Sequence, residues 1–516
     1  MRRLLFLLLW TTLLSQAVAQ DALVTKRWFT ASTDNFTVIS QLSRRQTERQ
    51  VLELEQWRNA SLQLLNDISP QRQSPITTYL YIFSSDDDYA LFSEGEEPAY
   101  FFSSPRANFI IMQNNESGVR LAKHHYAHFL MNNRTQGLPR WYEEGMSHYL
   151  SRVEVSGGDA ELRSLNAQEF ELINALNDDV NLDELFFDDA ALASPRLVQI
   201  ANFKAAFFMQ FLQHAHEREG FNDRRGTLSQ YLTLLDQGRT ERFAFDQAFE
   251  LSMRALAGDF QRYIESGLQQ SERDRDLFAV APIEEVPVVE ASLDDKTLLL
   301  AEISLHSARF PLSAYLFNSL IEKGQAPGRA YSGYADSVRM YEGQTEALPM
   351  LSDQALISLY EQAVERSPQD YQLHLDFGQF FDAKRNSCEP APTMQERTFY
   401  EAEMQRHFQQ ALAVNPENPE VNLSYAQVFL FDQQDWREGA AFHDRAFASL
   451  ASDTFVLEQA VEYALREGDF DHAQSLINRM ARPMHFWGAP DWVKELSQKL
   501  LFAQRSEPFD ACVNTN

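Results

Sequence analysis

Val119–Leu150, VRLAKHHYAHFLMNNRTQGLPRWYEEGMSHYL, is the stretch on which the reading of this chain turns. Its first half has helical spacing: Val119, Ala122, Tyr126, Phe129 and Leu130 form one apolar stripe. His124 and His128, at i and i+4, fall together on the face roughly opposite that stripe. A histidine packed into a core belongs on the stripe, so these two either sit on the surface or line a cleft. Two imidazoles one turn apart have the spacing that lets both bind one tetrahedral metal. Ser117 is placed to cap this helix, and Pro139, after a short polar turn, suits the first turn of a second one. On the second helix Glu144 and His148 share a face, whereas Glu143 points about 100° away and is not chosen as a ligand.

Upstream, WFTASTDNFTVIS (Trp28–Ser40) alternates around a turn-like Ser32–Asn35 and reads as a hairpin. Gln41–Asn66 has helical spacing, and Ile76–Phe83, Ala99–Phe102 and Asn108–Met112 read as strands. From Ser117 to about Ser266 the pattern is almost wholly helical, broken by an acidic stretch at Asn177–Asp189. Strands around one long helix, followed by helices, make an α+β unit.

The combination His124-x3-His128, a short turn, Leu138-Pro139-x-Trp141, Glu144-Gly145 and Tyr149-Leu150 resembles the gluzincin-type zinc metallopeptidases. It is similar in particular to bacterial "peptidase MA-like" domains, with their His-Glu-x-x-His helix followed by a Leu-Pro-x-Trp-x-x-Glu-Gly helix. The resemblance covers Trp28 to Ser266. It implies a zincin-like fold and a zinc ion on His124, His128 and Glu144. His148 would be a fourth ligand, a partner of the ligands, or a surface residue. It further implies that Asn108–Met112 is the edge strand beside the cleft, and that helices at Phe203–His214 and Ala248–Tyr263 close the domain.

The departure is at His125, which stands where the family has its catalytic Glu. Loss of a general base typically removes about two to four powers of ten in rate. Metal retention needs only the ligands, so a metal-binding protein without hydrolysis is the expected outcome. An active zinc peptidase with His125 as base and a metal-free scaffold are the two alternatives.

Beyond Phe278–Ser292, whose two prolines and three acids mark a boundary, the chain reads as helical hairpins. Tyr360, Ala363 and Pro368 recur at identical spacing as Phe408, Ala411 and Pro416, and Phe377-Gly378-x-x-Phe381 recurs as Tyr425-Ala426-x-x-Phe429. Gly468, Ala473, Ile477 and Met480 continue the pattern. These positions resemble the tetratricopeptide repeat, whose hairpins stack because none covers its own apolar face. The prolines lie 48 residues apart, so relative to the usual period of about 34 an insertion of about 14 is expected, at Arg385–Gln395. The resemblance implies a groove for a protein or peptide partner.

The 516 residues carry 45 Lys+Arg against 74 Asp+Glu, a net −29, which disfavours nucleic acid and anionic membranes as partners. With 38 Phe, 18 Tyr and 7 Trp the chain is not a disordered tail. Arg2–Arg3, an apolar run Leu4–Leu14 and Ala17-Val18-Ala19 read as a cleavable signal peptide, so a periplasmic or secreted address is expected. No Cys follows the cleavage site, and no later segment is long and apolar enough to span a bilayer, so no stable membrane anchor is expected. Cys388 and Cys512 pair or stay free with equal weight, and two cysteines make no metal site. The expected fold class is thus an α+β zincin-like domain followed by an all-α tetratricopeptide-type helical-hairpin solenoid. Its divisions are a signal peptide (1–19), the α+β part (20–155), a helical part (156–277), a linker (278–292), repeats (293–500) and a tail (501–516).

Overall fold

The strand sequences TYLYIF and NFIIMQ are apolar at both parities, a pattern that requires cover on both faces of a sheet. The computed structural model describes residues 23–514 apart from 72–73, 94, 96, 133–136, 157, 164–166, 178, 189–191, 193, 268–274, 282, 284, 342–347, 432–433 and 482–489. The expected signal peptide, 1–19, lies outside the described residues. The chain begins with β1 (Phe29–Ser32), β2 (Phe36–Ser40), α1 (Arg44–Ile68), β3 (Thr78–Phe83), β4 (Ala99–Ser103) and β5 (Asn108–Gln113). Ser43 and Gln46 close a capping box at the start of α1. Next come α2 (Glu116–Asn132) and α3 (Arg140–Ser151).

The hairpin β6 (Val153–Ser156) and β7 (Asp159–Arg163) follows, a correction to the wholly helical expectation. Val153, Ala160 and Leu162 are buried in alternation, and Gly158 takes φ +94 in the turn, a conformation that favours glycine. Helices α4 (Ala167–Leu176), α5 (Leu182–Phe187), α6 (Pro195–His214), α7 (Arg225–Asp236), α8 (Glu241–Phe249) and α9 (Met253–Gly267) come next. Helix α5 stands inside the acidic break because Asn181 and Glu184 cap its start reciprocally.

The stretch read as a linker, 278–292, holds the end of one strand and the whole of another, a further correction. β8 (Arg275–Ala279) pairs with β7 in a three-stranded sheet, and β9 (Val288–Glu290) pairs with β1. The main sheet has the order β4-β5-β3-β2-β1-β9, parallel at β2–β3 and β3–β5 and antiparallel elsewhere. Asn108–Gln113 is therefore an inner strand. The edge expected there is taken by Ala99–Ser103, folded back antiparallel by a turn in which Ser104 N donates to Ala107 O at 3.1 Å.

Val38, Leu80, Ile82, Ile110 and Met112 point to one face, where Trp57 of α1 and Tyr126 of α2 join them in a core that continues through α3 and α6–α9. Ile39, Tyr81, Phe83, Phe109 and Ile111 point to the other face. That face is covered by the helices after β9: α10 (Leu293–His306), α11 (Phe310–Glu322) and α12 (Gly328–Arg339). Tyr81 donates its hydroxyl to Leu299 O at 2.9 Å, and Phe109 stacks on His306 at 4.4 Å between centroids.

The helical array continues as α13 (Asp353–Arg366), α14 (Tyr371–Arg385), α15 (Met394–Val414), α16 (Pro419–Val428), α17 (Trp436–Ser449), α18 (Thr454–Glu467), α19 (Phe470–Met480) and α20 (Asp491–Gln504). The repeated residues sit at the helix contacts. Tyr360, Ala363, Phe408 and Ala411 are buried, and a methyl group on Gly378 would collide with the Phe408 ring. The extra length between the two prolines is the loop after Arg385 together with additional turns at the start of the 21-residue α15. Cys388 in that loop is disulfide-bonded to Cys512, with Cα atoms 5.5 Å apart. In the chain-entropy picture, closing a loop of 124 residues removes about 5 kcal/mol of unfolded-state freedom.

Helices of the array also receive a side chain from the end of the sheet. Arg106, in the β4–β5 turn, reaches between two of them. Its Nη2 donates to Asp376 Oδ1 of α14 at 2.8 Å and to Glu420 Oε1 of α16 at 2.9 Å. Its Nε donates to Glu420 Oε1 at 3.1 Å and Oε2 at 3.2 Å. All three side chains are largely buried. Further along, Ile76 and Phe129 meet Leu423, Leu450 and Val456 of the array in a small shared cluster. The array thus meets the front half at three places: the sheet face under α10–α12, Arg106, and the Ile76–Phe129 cluster.

Replacing Arg106 by Met would strand two buried carboxylates, and a loss of about 3–5 kcal/mol is expected. The combined Arg106→Met, Asp376→Leu, Glu420→Leu variant should recover most of it. The denaturant midpoints of the two proteins check this.

Candidate functional site

Helix α2 is started by Asn115, whose Oδ1 accepts from Gly118 N at 2.8 Å, so the cap lies two residues before the expected Ser117. Pro139 stands at the N-cap of α3, where its carbonyl accepts from Tyr142 N and Glu143 N, both at 3.0 Å. Trp141 is fully buried and lies 4.5 Å from the Phe186 ring and 5.6 Å from Phe208. Its two neighbours fix the roll of α3. Gly145 fixes its distance from α6, since a Cβ there would lie 2.6 Å from Ala205 O. Trp57 of α1 donates to Leu150 O at 2.9 Å and ties down the far end.

With α2 and α3 so placed, the residues singled out in the sequence face each other. His124, His128 and Glu144 are 5%, 8% and 1% exposed, so the histidines line an interior site and α2 is buried on both sides. His124 Nε2 and His128 Nε2 are 3.2 Å apart. Glu144 Oε2 is 3.8 Å from His124 Nε2, and Glu144 Oε1 is 3.8 Å from His128 Nε2. His148 joins from the next turn of α3: one donor atom each from His124, Glu144 and His148 lie within 4.8 Å of one another. His128 and His148 are thus the two candidates for the third corner.

Two donors at the zinc–nitrogen distance of about 2.0–2.1 Å and tetrahedral angles lie about 3.4 Å apart. The donor set and its spacings fit such an ion. His128 Nδ1 lies 3.4 Å from Glu143 Oε1, which leaves Nε2 directed inward. Glu143, set aside in the sequence because it diverges from Glu144, thus serves from outside the cluster. The two helices cross so that adjacent carboxylates address opposite nitrogens of the same ring.

His125 follows His124 on α2. Its ring lies 5.6 Å from that of His124 and stacks at 6.4 Å on Phe101 of the edge strand β4. Burial, followed by the charge of His128, lowers its pKa to about 4. Burial and the neighbouring His128 and Arg152 do the same to His148, also to about 4. Both imidazoles are therefore neutral at ordinary pH. Burial raises Glu144 to about 7. His128 is raised, because the Glu143 hydrogen bond and the Glu144 and Glu143 charges outweigh the cost of burial.

One further constellation lies beyond the reach of the sequence reading. Tyr149 hydroxyl lies 2.9 Å from His214 Nε2 at the end of α6, and His214 Nδ1 lies 2.7 Å from Glu217 Oε1. The Glu217–His214–Tyr149 chain anchors α3 next to His148. Only the i, i+3 spacing of His214 and Glu217 hints at it.

Comparison with known families and with curated proteins finds no match for this chain. Among solved structures it is similar to a thermophilic TPR protein of Thermus thermophilus, at 15% identity and a TM-score of 0.31, over 41% of this chain and 99% of that one. The helical hairpins of this chain are defined by its own helices and their buried repeat positions.

Gly145→Ala should push α3 off α6 and cost about 1–3 kcal/mol. Gly226→Ala on α7 has open space around it and should be neutral or slightly stabilising. Thermal melts of the two variants, side by side, check the contrast.

Proposed function

We propose that this protein is an exported, zincin-like metal-binding protein that does not hydrolyse peptides and acts in binding or assembly of extracytoplasmic proteins or peptides. The observation that carries the reading is the convergence of His124 Nε2, His128 Nε2 and Glu144 at 3.2–3.8 Å inside a buried site. In this reading His124, His128 and Glu144 hold the ion, His148 completes or supports the set, and Glu143 orients His128. Zinc held there supplies Lewis acidity.

The residue that would move a proton is what the site lacks. His125 is a neutral ring turned toward Phe101, and it brings none of the negative charge that a carboxylate gives a dicationic centre. The bridge between the chain's two cysteines supports an oxidising compartment, in keeping with the signal-like start of the sequence. Among the described residues no helix is long and apolar enough to cross a membrane.

The repeats serve this reading in two ways. Their inner side clamps the β4–β5 turn through Arg106, and β4 carries Phe101 against His125. A protein or peptide partner then meets the front cleft beside β4, together with those repeat surfaces that the sheet leaves open.

Protein purified without chelators should contain close to stoichiometric zinc, and Glu144→Ala should lose it. Wild type should show no chelator-sensitive cleavage of unfolded peptides. Robust cleavage abolished by Glu144→Ala would make His125 a working base and reverse the assignment, whereas cleavage gained in His125→Glu would show the remaining machinery intact. Absence of metal from protein that rebinds none would leave the scaffold reading.

Metal affinity should also depend on pH with a defined sign. Glu144 near 7 and the raised His128 hold protons that the ion must displace, while His148 is already neutral. Apparent affinity should fall by about tenfold or more per unit as pH drops below 7 and level off above it. Competition with a chromogenic chelator across pH 5.5–8.5 measures this.

A further inference from the structure

The helices α1 and α2 diverge over the sheet and leave a cavity of about 270 Å³ between them. Leu54 of α1, Leu80 of β3, Ile110 and Met112 of β5, Ala122 of α2 and Val155 of β6 form its walls. Protein interiors are filled to the density of organic crystals, and an apolar void of about 150 Å³ already takes up benzene. The space here exceeds a single ring and approaches the lower end, about 300 Å³, of small-molecule sites. It is too small for a long acyl chain.

The mouth is charged in both senses. Lys123 enters from α2, Glu53 from α1 and Glu154 from β6. Lys123 Nζ donates to Val153 O at 3.0 Å and lies 5.8 Å from the Trp57 ring, which uses one of its three donor directions. Glu53 also faces Arg49 at 3.6 Å, and Glu154 faces Arg163 at 2.9 Å. Both are solvent-exposed pairs that a ligand displaces at little cost. One ammonium and two carboxylates over an apolar chamber form the complement of a zwitterion with a bulky apolar group.

We propose that this cavity binds a free α-amino acid with a large apolar side chain. The side chain fills the chamber, the carboxylate meets Lys123, and the ammonium lies between Glu53 and Glu154. None of the wall residues belongs to the proposed zinc set, so the site stands whether or not the metal reading does.

Calorimetric titration of the full chain with L-phenylalanine, L-leucine, L-alanine and phenethylamine tests the proposal. Phenylalanine and leucine should bind saturably and alanine should not. Ala122→Phe, which fills the chamber, should abolish binding. Val155→Trp fills it from the mouth and serves if the first variant misfolds. Lys123→Met should weaken phenylalanine by about tenfold or more and leave phenethylamine, which has no carboxylate, unchanged. No saturable binding of phenylalanine or leucine to wild type overturns the proposal. Undiminished binding in either folded filling variant, or equal losses for phenylalanine and phenethylamine in Lys123→Met, overturns it as well.

Discussion

Burial of the six-stranded sheet on both faces is the constraint from which the architecture follows. Leu80, Ile82, Ile110 and Met112 leave water on one side, and Tyr81, Phe83, Phe109 and Ile111 leave it on the other. Each such side chain contributes about 1.5–3 kcal/mol when fully buried, so neither face can be left bare. Helices α1 and α2 cover the first, and the hairpin array covers the second. The array therefore completes the core of the front half rather than hanging from it on a tether. Strand β9 makes the same point in the backbone, because it adds to the edge of the sheet immediately before the array begins.

Within that frame, Arg106 links the two halves through a buried charge cluster. A guanidinium shared by Asp376 and Glu420 carries a heavy desolvation cost, and what it adds is specificity of docking more than net stability. Its position gives it a second consequence. The turn that holds Arg106 is continuous with the edge strand, and that strand flanks the helix of histidines. Geometry at the candidate site therefore depends on helices more than 200 residues further along the chain.

The candidate site is equally a product of packing between helices. Gly145 lets α6 approach, Trp141 locks the roll of α3, and Trp57 holds its end. Together they aim Glu144 at the pair of imidazoles. The same burial lowers the pKa of His125 and His148 and raises that of Glu144, so the two imidazoles are uncharged while the carboxylate keeps its proton up to about 7.

Much of this is legible locally. The i, i+4 spacing of His124 and His128, the Leu-Pro-x-Trp-x-x-Glu-Gly run and the repeated large–small pairs around Pro368 and Pro416 are short-range patterns, written at the helical period. The hairpin β6–β7 escapes such a reading because a four-residue strand leaves little pattern beside a helical background, although Gly158 stands in its turn. The edge strand is misplaced by it because nothing in Asn108–Gln113 reveals that the preceding segment folds back beside it. The partner of Cys388, the role of Glu143 and the destination of Arg106 are out of its reach for one reason. Each depends on residues brought together from distant parts of the chain, and such contacts are set by how layers stack, not by local period. The sequence by itself determined the strands of the first half of the sheet, most of the helices, and the placement of His124 and His128 on one helix face. The tertiary structure decided which faces meet, because an apolar face specifies that it must be covered but not by what.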